Sequence, residues 1–490
     1  MPGARFAALL IVAAAATLAA RAAQALELED CRISAGPGYP SMKARCGRLT
    51  RPLDPANPDS PSIELAVAVV PALSLEPAPT PLLPIAGGPG QSTIEFFAAY
   101  AGAFEPIRRN RDIVLLDQRG TGDSAPLECG DDEELLDTEI TPERAREESR
   151  ECLDDLAYDP RFFTTSVAVT DLEALRQALG VPAFDVYGIS YGTRVAQHYA
   201  RRYPGSTRTV ILDGVVPPQI ALGPAIAIQA QQALDHTFAR CAETPACNAR
   251  FPGIVAQFRN LEKRLVANAV SVELPDPLTA RREQVTFGAS ELAGALRLLS
   301  YHPNTVALLP LLIHEAHAGN YAPLAAQYLM TARSVSEALS IGMHNAVVCT
   351  EDAPFFEGEN VTREMLEATY IGPLQLETLA AVCDVWPEGV RDDTLRMPLA
   401  TDTPVLLLSG DADPITPPEF AELAAVQMKN FQPLVGENQG HGQLTRACIP
   451  EAMADFVETA SFAHIEEARA CMKKRQFAMP FFLDFTGPAP

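Results

Sequence analysis

A serine with a glycine two residues away on each side stands at position 190 of the sequence. The pentapeptide GISYG at residues 188–192 has the form G-x-S-x-G, with Ser190 at its centre. It follows a short apolar run, residues 184–187, and precedes a helical pattern that continues to Tyr203. A serine on such a strand-to-helix turn is held in a sharp bend, where a Cβ in place of either glycine would clash with neighbouring backbone. This context predicts that Ser190 is a nucleophile.

A serine hydroxyl is a poor nucleophile until a base takes its proton, so a histidine is required. In proteins that carry this turn, the chain order is serine, acid, histidine. His441 and His464 follow the candidate acids, and His441 stands between two glycines in a loop after a predicted strand. His464 stands in AHIEE, which is typical of a helix surface. We therefore predict that His441 is the base.

The acid that orients the histidine is expected in a loop just past the end of a strand. The segment SGDADP at residues 409–414 offers Asp411 and Asp413. Asp413 is the preferred candidate, because one more residue carries it clear of the strand end and Pro414 fixes the loop. Either aspartate could instead be a turn residue that caps the helix starting near Pro417.

Acyl transfer also requires donors for a developing oxyanion. The backbone N–H of Tyr191, next to the nucleophile, is one candidate. The second is expected from the glycine-rich segment GGPG at residues 87–90, where missing side chains let backbone N–H groups face a pocket. Gly88 is our candidate there, and a purely structural turn is the alternative.

The elements that must position these residues follow an α/β pattern. Short apolar runs at residues 81–86, 113–116 and 184–187 end in glycine-containing turns, as buried parallel strands do. Between the last two, Thr170 and Glu173 form a predicted capping box, and Gly180 ends the helix. Strands alternate with helices, so we predict a parallel sheet covered by helices.

This rhythm is lost from residue 218 to residue 398, which is predicted to be an inserted helical cap. Residues 26–217 and 399–490 then form the two parts of the core domain. Two units agree with a length of 490 residues, since a single core rarely grows so large. The composition, 47% hydrophobic and 20% charged, excludes a disordered chain.

Residues 1–25 are predicted to be a signal peptide, cleaved after Ala25. Arg5 precedes an apolar run of only 15 residues, which is too short to span a bilayer and is followed by Arg21. All ten cysteines lie after it, and an even number in an exported chain favours disulfides. Neighbour order predicts five local pairs: Cys31–Cys46, Cys129–Cys152, Cys241–Cys247, Cys349–Cys383 and Cys448–Cys471.

The charge excludes one class of partner. The formal net charge is −24, from 38 basic and 62 acidic residues, and loss of Arg5 and Arg21 takes it to −26. Nucleic acid is therefore not expected as a partner. No stable membrane insertion is expected either, and the sequence leaves the oligomeric state open.

Six segments, in this order, resemble the prolyl-aminopeptidase and tripeptidyl-aminopeptidase branch of the α/β hydrolases: GGPGQS, DQRGTGDS, GISYGTRVAQHYARRYP, VILDGVVPP, SGDADPITPP and NQGHG. The resemblance spans residues 82 to about 457 and implies the α/β-hydrolase fold, with a mostly parallel central sheet, flanking helices and an inserted cap. It implies a triad of Ser190, Asp413 and His441 in an exopeptidase that takes peptides from their amino end.

The export signal and the cysteine-rich cap fit the tripeptidyl branch better than the cytosolic prolyl branch. Ala86 stands where many prolyl aminopeptidases have histidine, which weakens a prediction of proline specificity. The resemblance also implies that Asp117 and Arg119 hold the oxyanion loop and do not react. It implies no metal or organic cofactor, and the segment HEAH at residues 314–317 lacks the H-E-x-x-H spacing of a zinc helix.

An aminopeptidase must recognise a free ammonium group, and a buried ammonium needs a carboxylate partner. Glu351, or alternatively Asp352, is the candidate, because both follow Cys349 in a segment that a disulfide would make rigid. Two acids on an exposed loop are the plainer interpretation. A secreted carboxylesterase with the same triad is the alternative function, since the fold alone does not choose the leaving group. A binding protein on the same scaffold is a third.

Overall fold

The computed structural model describes residues 26–129, 141–276 and 279–488. The predicted signal peptide therefore lies outside the described residues. Within them the central feature is a nine-stranded sheet of order β1-β2-β3-β5-β4-β6-β7-β10-β11. Its strands are β1 Glu29–Ile33, β2 Met42–Pro52, β3 Ser62–Val70, β4 Leu82–Ile85, β5 Ile113–Leu116, β6 Phe184–Ile189, β7 Thr207–Asp213, β10 Val405–Gly410 and β11 Phe431–Gly436.

The sheet is parallel from β5 to β11, and β1, β2 and β3 form an antiparallel edge. Every residue of β4, β5 and β10 is buried, which explains why these strands read as continuous apolar runs in the sequence. The mostly parallel sheet predicted from those runs is confirmed.

Alternate side chains of the strands pack into two layers of helices. On one face of the sheet, Val114 and Val210 pack with helices that follow β5 and β6. On the other face, Leu115 and Ile211 pack with the first and the last helices of the domain that contains the sheet, which we call the sheet domain. The helices flanking the sheet are α1 Thr93–Arg108, α2 Pro142–Asp155, α3 Thr165–Leu179, α4 Tyr191–Arg202, α15 Pro418–Ala424, α16 Ile449–Thr459 and α17 Ile465–Arg475. Both faces of the sheet are therefore covered, as a buried parallel sheet requires.

The predicted start of α3 is wrong. The helix begins at Thr165, after its N-cap residue Thr164, and not near Thr170. The Thr170 hydroxyl donates to the Val167 carbonyl inside the helix. The first-turn N–H of Thr165 is instead satisfied by the Glu351 carboxylate, 186 residues away in sequence. A cap supplied by a distant residue leaves no local signature.

The segment between β7 and β10 has a hydrophobic core of its own, which includes Leu234, Phe258 and Phe287. Its helices are α5 Pro224–Glu243, α6 Pro245–Arg250, α7 Ile254–Ala267, α8 Ala289–Leu299, α9 Pro303–Val306, α10 Leu309–His317, α11 Ala322–Ala338, α12 Ile341–Glu351, α13 Arg363–Glu367 and α14 Leu374–Cys383. It is mainly helical, as expected.

This segment also contains an antiparallel hairpin that the sequence analysis did not predict. The hairpin pairs β8 Val270–Pro275 with β9 Arg282–Phe287. At the end of the chain, β12 Phe482–Asp484 pairs with β13 Gly487–Pro488. Phe481 packs in the cap core, although residues 399–490 were assigned to the sheet domain. Conversely, helix α12 belongs to the cap segment but packs with the sheet domain, since its residues Met343 and Val347 lie in the core of that domain.

The five predicted disulfides are present: Cys31–Cys46, Cys129–Cys152, Cys241–Cys247, Cys349–Cys383 and Cys448–Cys471. Each closes a loop of 6 to 34 residues. This number of disulfides fits an exported protein. In the described part of the chain, no helix is long and apolar enough to cross a membrane.

Candidate active site

Ser190 occupies a strained turn between β6 and α4. Its backbone lies at φ 54° and ψ −126°, a region that residues with a Cβ rarely adopt. The turn is held from both sides, because the Ser190 N–H donates to the Asp213 carbonyl at 2.8 Å and the Ser190 carbonyl accepts from the Thr193 N–H at 2.9 Å. A strained backbone conformation that several hydrogen bonds hold in place is typical of a residue whose side chain must project in one direction.

The glycines beside Ser190 allow close backbone contact. A Cβ at Gly192 would lie below 3.0 Å from the carbonyl oxygens of Ile85 and Ala86, on the neighbouring strand. A Cβ at Gly188 would meet the carbonyl of Gly192 equally closely. Backbone atoms cannot move aside as the end of a flexible side chain can, so both positions exclude larger residues.

Gly192→Ala is therefore expected to destabilise the protein by ~2 kcal/mol or more, as overpacking a tight core does. Thermal unfolding followed by circular dichroism measures this. Gly205→Ala is the matched control, because a Cβ there has no heavy atom within 4 Å. If the two variants unfold at the same temperature, the close approach at Gly192 is not what the turn depends on.

The structure brings His441 and Asp413 together. Nδ1 of His441 lies 2.8 Å from Oδ2 of Asp413, and both side chains are buried or nearly so. The loop that carries the histidine is held by Tyr301, whose carbonyl accepts the His441 N–H at 2.8 Å. With Nδ1 bound to the carboxylate, Nε2 is the ring nitrogen that remains to accept a proton.

Asp413 is fixed by several donors. Its Oδ1 accepts the N–H groups of Ile415 and Thr416 at 2.8 and 2.9 Å, and its Oδ2 accepts the Thr416 hydroxyl at 2.8 Å. Burial alone would raise the pKa of Asp413, but the facing His441 and these hydrogen bonds outweigh it and lower that pKa. The carboxylate is therefore ionised and directed at the imidazole.

Asp411 has a different environment. It is exposed, and its carboxylate accepts the backbone N–H of Asn438. The geometry thus places Asp413, and not Asp411, at the histidine.

The His441 ring lies against the end of β7, and the glycine that follows His441 lies close to the residue before Ser190. A Cβ at Gly214, directly after Asp213, would be 3.1 Å from His441 Cε1, and a Cβ at Gly442 would be 3.1 Å from Ile189 Cδ1. Burial opposes a charged imidazole, yet the carboxylates of Asp413 and Asp213 outweigh it and raise the pKa of His441. The three predicted triad residues thus lie beyond the carboxyl ends of β6, β10 and β11.

The glycine-rich loop passes directly over the serine. A Cβ at Gly87 would lie 3.1 Å from Ser190 Cβ, and one at Gly88 would lie 3.0 Å from the Leu339 side chain. Gly87 is thus the closer of the two to the serine, and Gly88 has a positive φ of 104°. The cap holds this loop, since the Ser340 N–H donates to the Gly90 carbonyl at 2.9 Å.

Asp117 holds the start of α1, which directly follows the glycine-rich loop. Its carboxylate accepts the Ser92 hydroxyl and the Ile94 N–H, at the start of α1. Arg119 does not contact this loop, but forms two hydrogen bonds to Asp171 of α3 at 2.7 and 2.9 Å. The expectation of a shared supporting role holds for Asp117 and not for Arg119.

Glu351 and Asp352 do not lie on an exposed loop. They stand at the end of α12 and are 1% exposed. Asp352 binds Arg194 of α4 through both oxygens, at 2.9 and 3.0 Å. Glu351 accepts the N–H and the hydroxyl of Thr165, and that hydroxyl shares a hydrogen bond with Tyr191. The plainer interpretation of two solvated acids is therefore wrong.

Three neighbours of the predicted site were missed from the sequence. Arg194 and Thr165 hold the two cap acids, and the Tyr301 ring meets the His441 ring edge-on, with centroids 5.2 Å apart. Arg194 lies one helical turn after Ser190, a spacing that could have marked it as facing the same region. Tyr301 belongs to the cap, and its position has no comparable local signal.

The HEAH segment makes ordinary protein contacts. His314 pairs through its two ring nitrogens with Gln257 and Arg250, at 2.9 and 3.1 Å. Among the residues that the structure describes, no group of three or more side chains is arranged to hold a metal ion.

The sequence is similar to those of known proteins. A family model described as alpha/beta hydrolase fold matches residues 80–248, and one described as TAP-like protein matches residues 368–469. Serine protease Hip1 of Mycobacterium tuberculosis is 27% identical over 435 residues, covering 80% of this chain and 81% of that protein. Tripeptidyl aminopeptidase of Streptomyces coelicolor is 31% identical over 222 residues, 42% of this chain and 40% of that protein. Carboxylesterase B of Mycobacterium tuberculosis is 32% identical over 225 residues, 42% and 43% of the two chains.

A parallel sheet with a strained serine turn after β6 and a buried aspartate–histidine pair beside it is the architecture of a serine hydrolase. The two family models cover strands β4 to β7 and strands β10 and β11 of that sheet. The chain belongs to the α/β-hydrolase family. Its similarity to a serine protease and to a tripeptidyl aminopeptidase identifies it as an aminopeptidase-like serine hydrolase.

Proposed function

We propose that this chain is an exported serine exopeptidase that hydrolyses peptide bonds near the free amino terminus of peptides. The observation that carries the proposal is the buried His441–Asp413 pair, 2.8 Å between Nδ1 and Oδ2, in a loop whose Gly442 lies close to Ile189, the residue before the strained Ser190. A carboxylate that holds one ring nitrogen leaves the other to act on a serine hydroxyl.

In the proposed reaction, Ser190 Oγ attacks the carbonyl carbon of the scissile bond while His441 Nε2 takes the hydroxyl proton. The N–H of Tyr191 and an N–H of the glycine-rich loop, Gly88 being the candidate, stabilise the oxyanion. Collapse of the tetrahedral intermediate breaks the C–N bond, and the imidazolium gives its proton to the departing amine. Water then repeats the sequence on the acyl-enzyme and releases the peptide fragment and free Ser190.

Peptides are the proposed substrates because Hip1 and the tripeptidyl aminopeptidase are named as peptidases. Export is proposed from the five disulfides and from the predicted signal peptide. The similarity to carboxylesterase B keeps a secreted esterase as the alternative.

Three matched substrates separate these functions: a tripeptide amide with a free amine, the same peptide with an acetylated amine, and a simple ester. An aminopeptidase hydrolyses the first at least ~10-fold faster than the second, because the ammonium contributes to transition-state binding. Equal rates on the two peptides would overturn exopeptidase action. Hydrolysis of the ester alone would establish the esterase.

The predicted ammonium partner is tested by Glu351→Gln. Glutamine keeps the shape of the side chain and can still accept the Thr165 N–H while donating toward its hydroxyl, so the fold should survive. We expect kcat/KM for the free-amine peptide to fall by ~10-fold or more, and ester hydrolysis to change by less than ~3-fold. Burial raises the pKa of Glu351 to about 7, so a bound ammonium would favour its charged form.

Glu357→Gln is the matched control, since this carboxylate is exposed in the turn that follows Asp352. It should leave both substrates unaffected. An equal loss on peptide and ester in Glu351→Gln would assign Glu351 to the support of α3 and remove it from substrate recognition.

A further inference from the structure

One buried carboxylate joins the serine turn to the histidine loop. Asp213 is the last residue of β7 and is fully buried. Its backbone carbonyl accepts the Ser190 N–H at 2.8 Å. Its side chain accepts the N–H groups of Gln443 and Leu444 at 2.7 and 2.9 Å, and the Tyr187 hydroxyl at 2.9 Å.

The contacts of this carboxylate bear on His441 directly. Gln443 and Leu444 are the second and third residues after the histidine, so their bonds to Asp213 fix the loop just beyond the imidazole. Gly214, the residue after Asp213, lies under the ring, where a Cβ would be 3.1 Å from Cε1. The end of β7 therefore holds the histidine loop from one side, while Asp413 binds the ring from the other.

We propose that Asp213 is a positioning residue that fixes the orientation of His441 and supports its basicity through the carboxylate charge. The proposal rests on the proposed function, because it gives His441 the role of base. It assigns to Asp213 no contact with substrate or with the reacting atoms. Asp213 acts on His441 through its hydrogen bonds to the loop and through the electrostatic field of its charge.

The charge of Asp213 is sustained by what surrounds it. Burial raises the pKa of Asp213 to about 6, although three hydrogen bonds and the facing His441 act to lower that pKa. Tyr187 faces it from β6, and His441 and Arg446 from the loop after β11. Tyr100 of α1 lies close enough to affect Tyr187 and Arg446. At neutral pH the carboxylate is thus ionised and raises the pKa of His441.

A carboxylate that only filled the core would lower stability when changed and would leave the titration of His441 alone. Asp213→Asn separates the two roles. An amide accepts through one atom only, so its NH₂ group would face one of the two backbone N–H donors. The loop should move, and the lost charge should lower the pKa of His441.

We expect two changes in the pH profile of kcat/KM for Asp213→Asn. The plateau should fall by ~10-fold or more with KM within ~3-fold of wild type, since the base is misplaced while the substrate contacts remain. The acid limb, where activity is lost as His441 is protonated, should move down by ~0.5 pH unit or more. An unchanged acid limb would overturn the proposal, whatever happens to the plateau.

Asp185→Asn is the matched control. Asp185 is also fully buried and lies at the start of β6, where it binds Thr209 and Arg208. Its substitution should lower the melting temperature and leave the acid limb where it is. If Asp185→Asn shifts that limb equally, the effect of Asp213 is not specific.

Tyr187→Phe provides a second test should Asp213→Asn fail to fold. Removing this donor keeps the charge and both backbone bonds but raises the pKa of Asp213, because a hydrogen bond to the charged form is lost. The alkaline plateau should stay within ~3-fold of wild type, because the carboxylate keeps its charge there. As the pH falls, Asp213 should take up a proton at higher pH than in wild type, and the rate should then drop to the lower level expected for Asp213→Asn. An unchanged profile in this variant would also overturn the proposal.

The readout should not depend on the substrate class. The rate of labelling by a fluorophosphonate, followed across the same pH range, reports the activation of Ser190 alone. Failure of wild type to label at Ser190 would contradict the proposed function. Normal labelling of wild type with an unshifted profile for Asp213→Asn would contradict only the role of Asp213.

Discussion

Ser190→Ala is expected to abolish turnover on peptides and esters alike, by ~10⁴-fold or more, while the protein remains folded. The serine oxygen is the atom that forms the acyl bond in the proposed reaction, and no neighbouring group can replace it. The fold should survive because alanine also has a Cβ and meets the same strain at φ 54°. The hydrogen bonds that hold the turn come from the Ser190 backbone and persist in the variant.

Fluorophosphonate labelling followed by peptide mapping tests the same assignment in wild type, where Ser190 should carry the label. Ser334→Ala is the matched control, since this serine is exposed on α11. It should label and turn over as wild type does. Activity that survives in Ser190→Ala, or a label on another residue, would show that the nucleophile lies elsewhere.

The central strands of the sheet were predictable because they are buried on both faces. The apolar runs at residues 113–116 and 184–187 correspond to β5 and β6, and a glycine-containing turn follows each run. The start of α3 was not predictable, because Glu351 of the cap caps it across 186 residues. The spacing of apolar residues in the sequence indicates which face of a helix or strand is buried. The residue that caps a helix can come from any part of the chain, so it leaves no such pattern.

The hairpin of the cap shows a signal that was overlooked. Its strands alternate, with Val272 and Leu274 buried on β8 and Val285 and Phe287 buried on β9. Alternation over six residues is typical of a half-buried strand. The surrounding helices and proline breaks led to an interpretation of this region as mainly helical, with no strand assigned to it.

The residues of the candidate site also fall into two groups, those that the sequence indicates and those that only the fold reveals. Ser190, Asp413 and His441 lie shortly after strand ends and have motif residues around them, so a single sequence was enough to propose them as candidates. Asp213 and Tyr301 contact the histidine loop through main-chain and ring contacts with residues more than 100 positions away. Nothing in the spacing of VILDGVVPP reveals that its aspartate binds the histidine loop. Such contacts require the fold.

The acid of the site is tested by comparing two aspartates that are two residues apart. Asp413→Asn is expected to lower kcat/KM by ~10³-fold or more, and His441→Ala by as much as the loss of the serine. An amide at position 413 can donate to Nδ1 of His441, which favours the tautomer with its proton on Nε2. That nitrogen then cannot take the proton from Ser190.

The pH profile provides an independent sign for the same variant. Burial lowers the pKa of His441 and the Asp413 carboxylate raises it, so Asp413→Asn should lower that pKa. The residual activity should then persist to lower pH than in wild type, because the imidazole stays neutral there. Asp411→Asn should change the rate by less than ~3-fold and leave the profile unmoved, since its amide oxygen can still accept the Asn438 N–H. The reverse pattern, with Asp411→Asn inactive and Asp413→Asn nearly normal, would transfer the role of the acid to Asp411 and would require the loop after β10 to rearrange in the working enzyme.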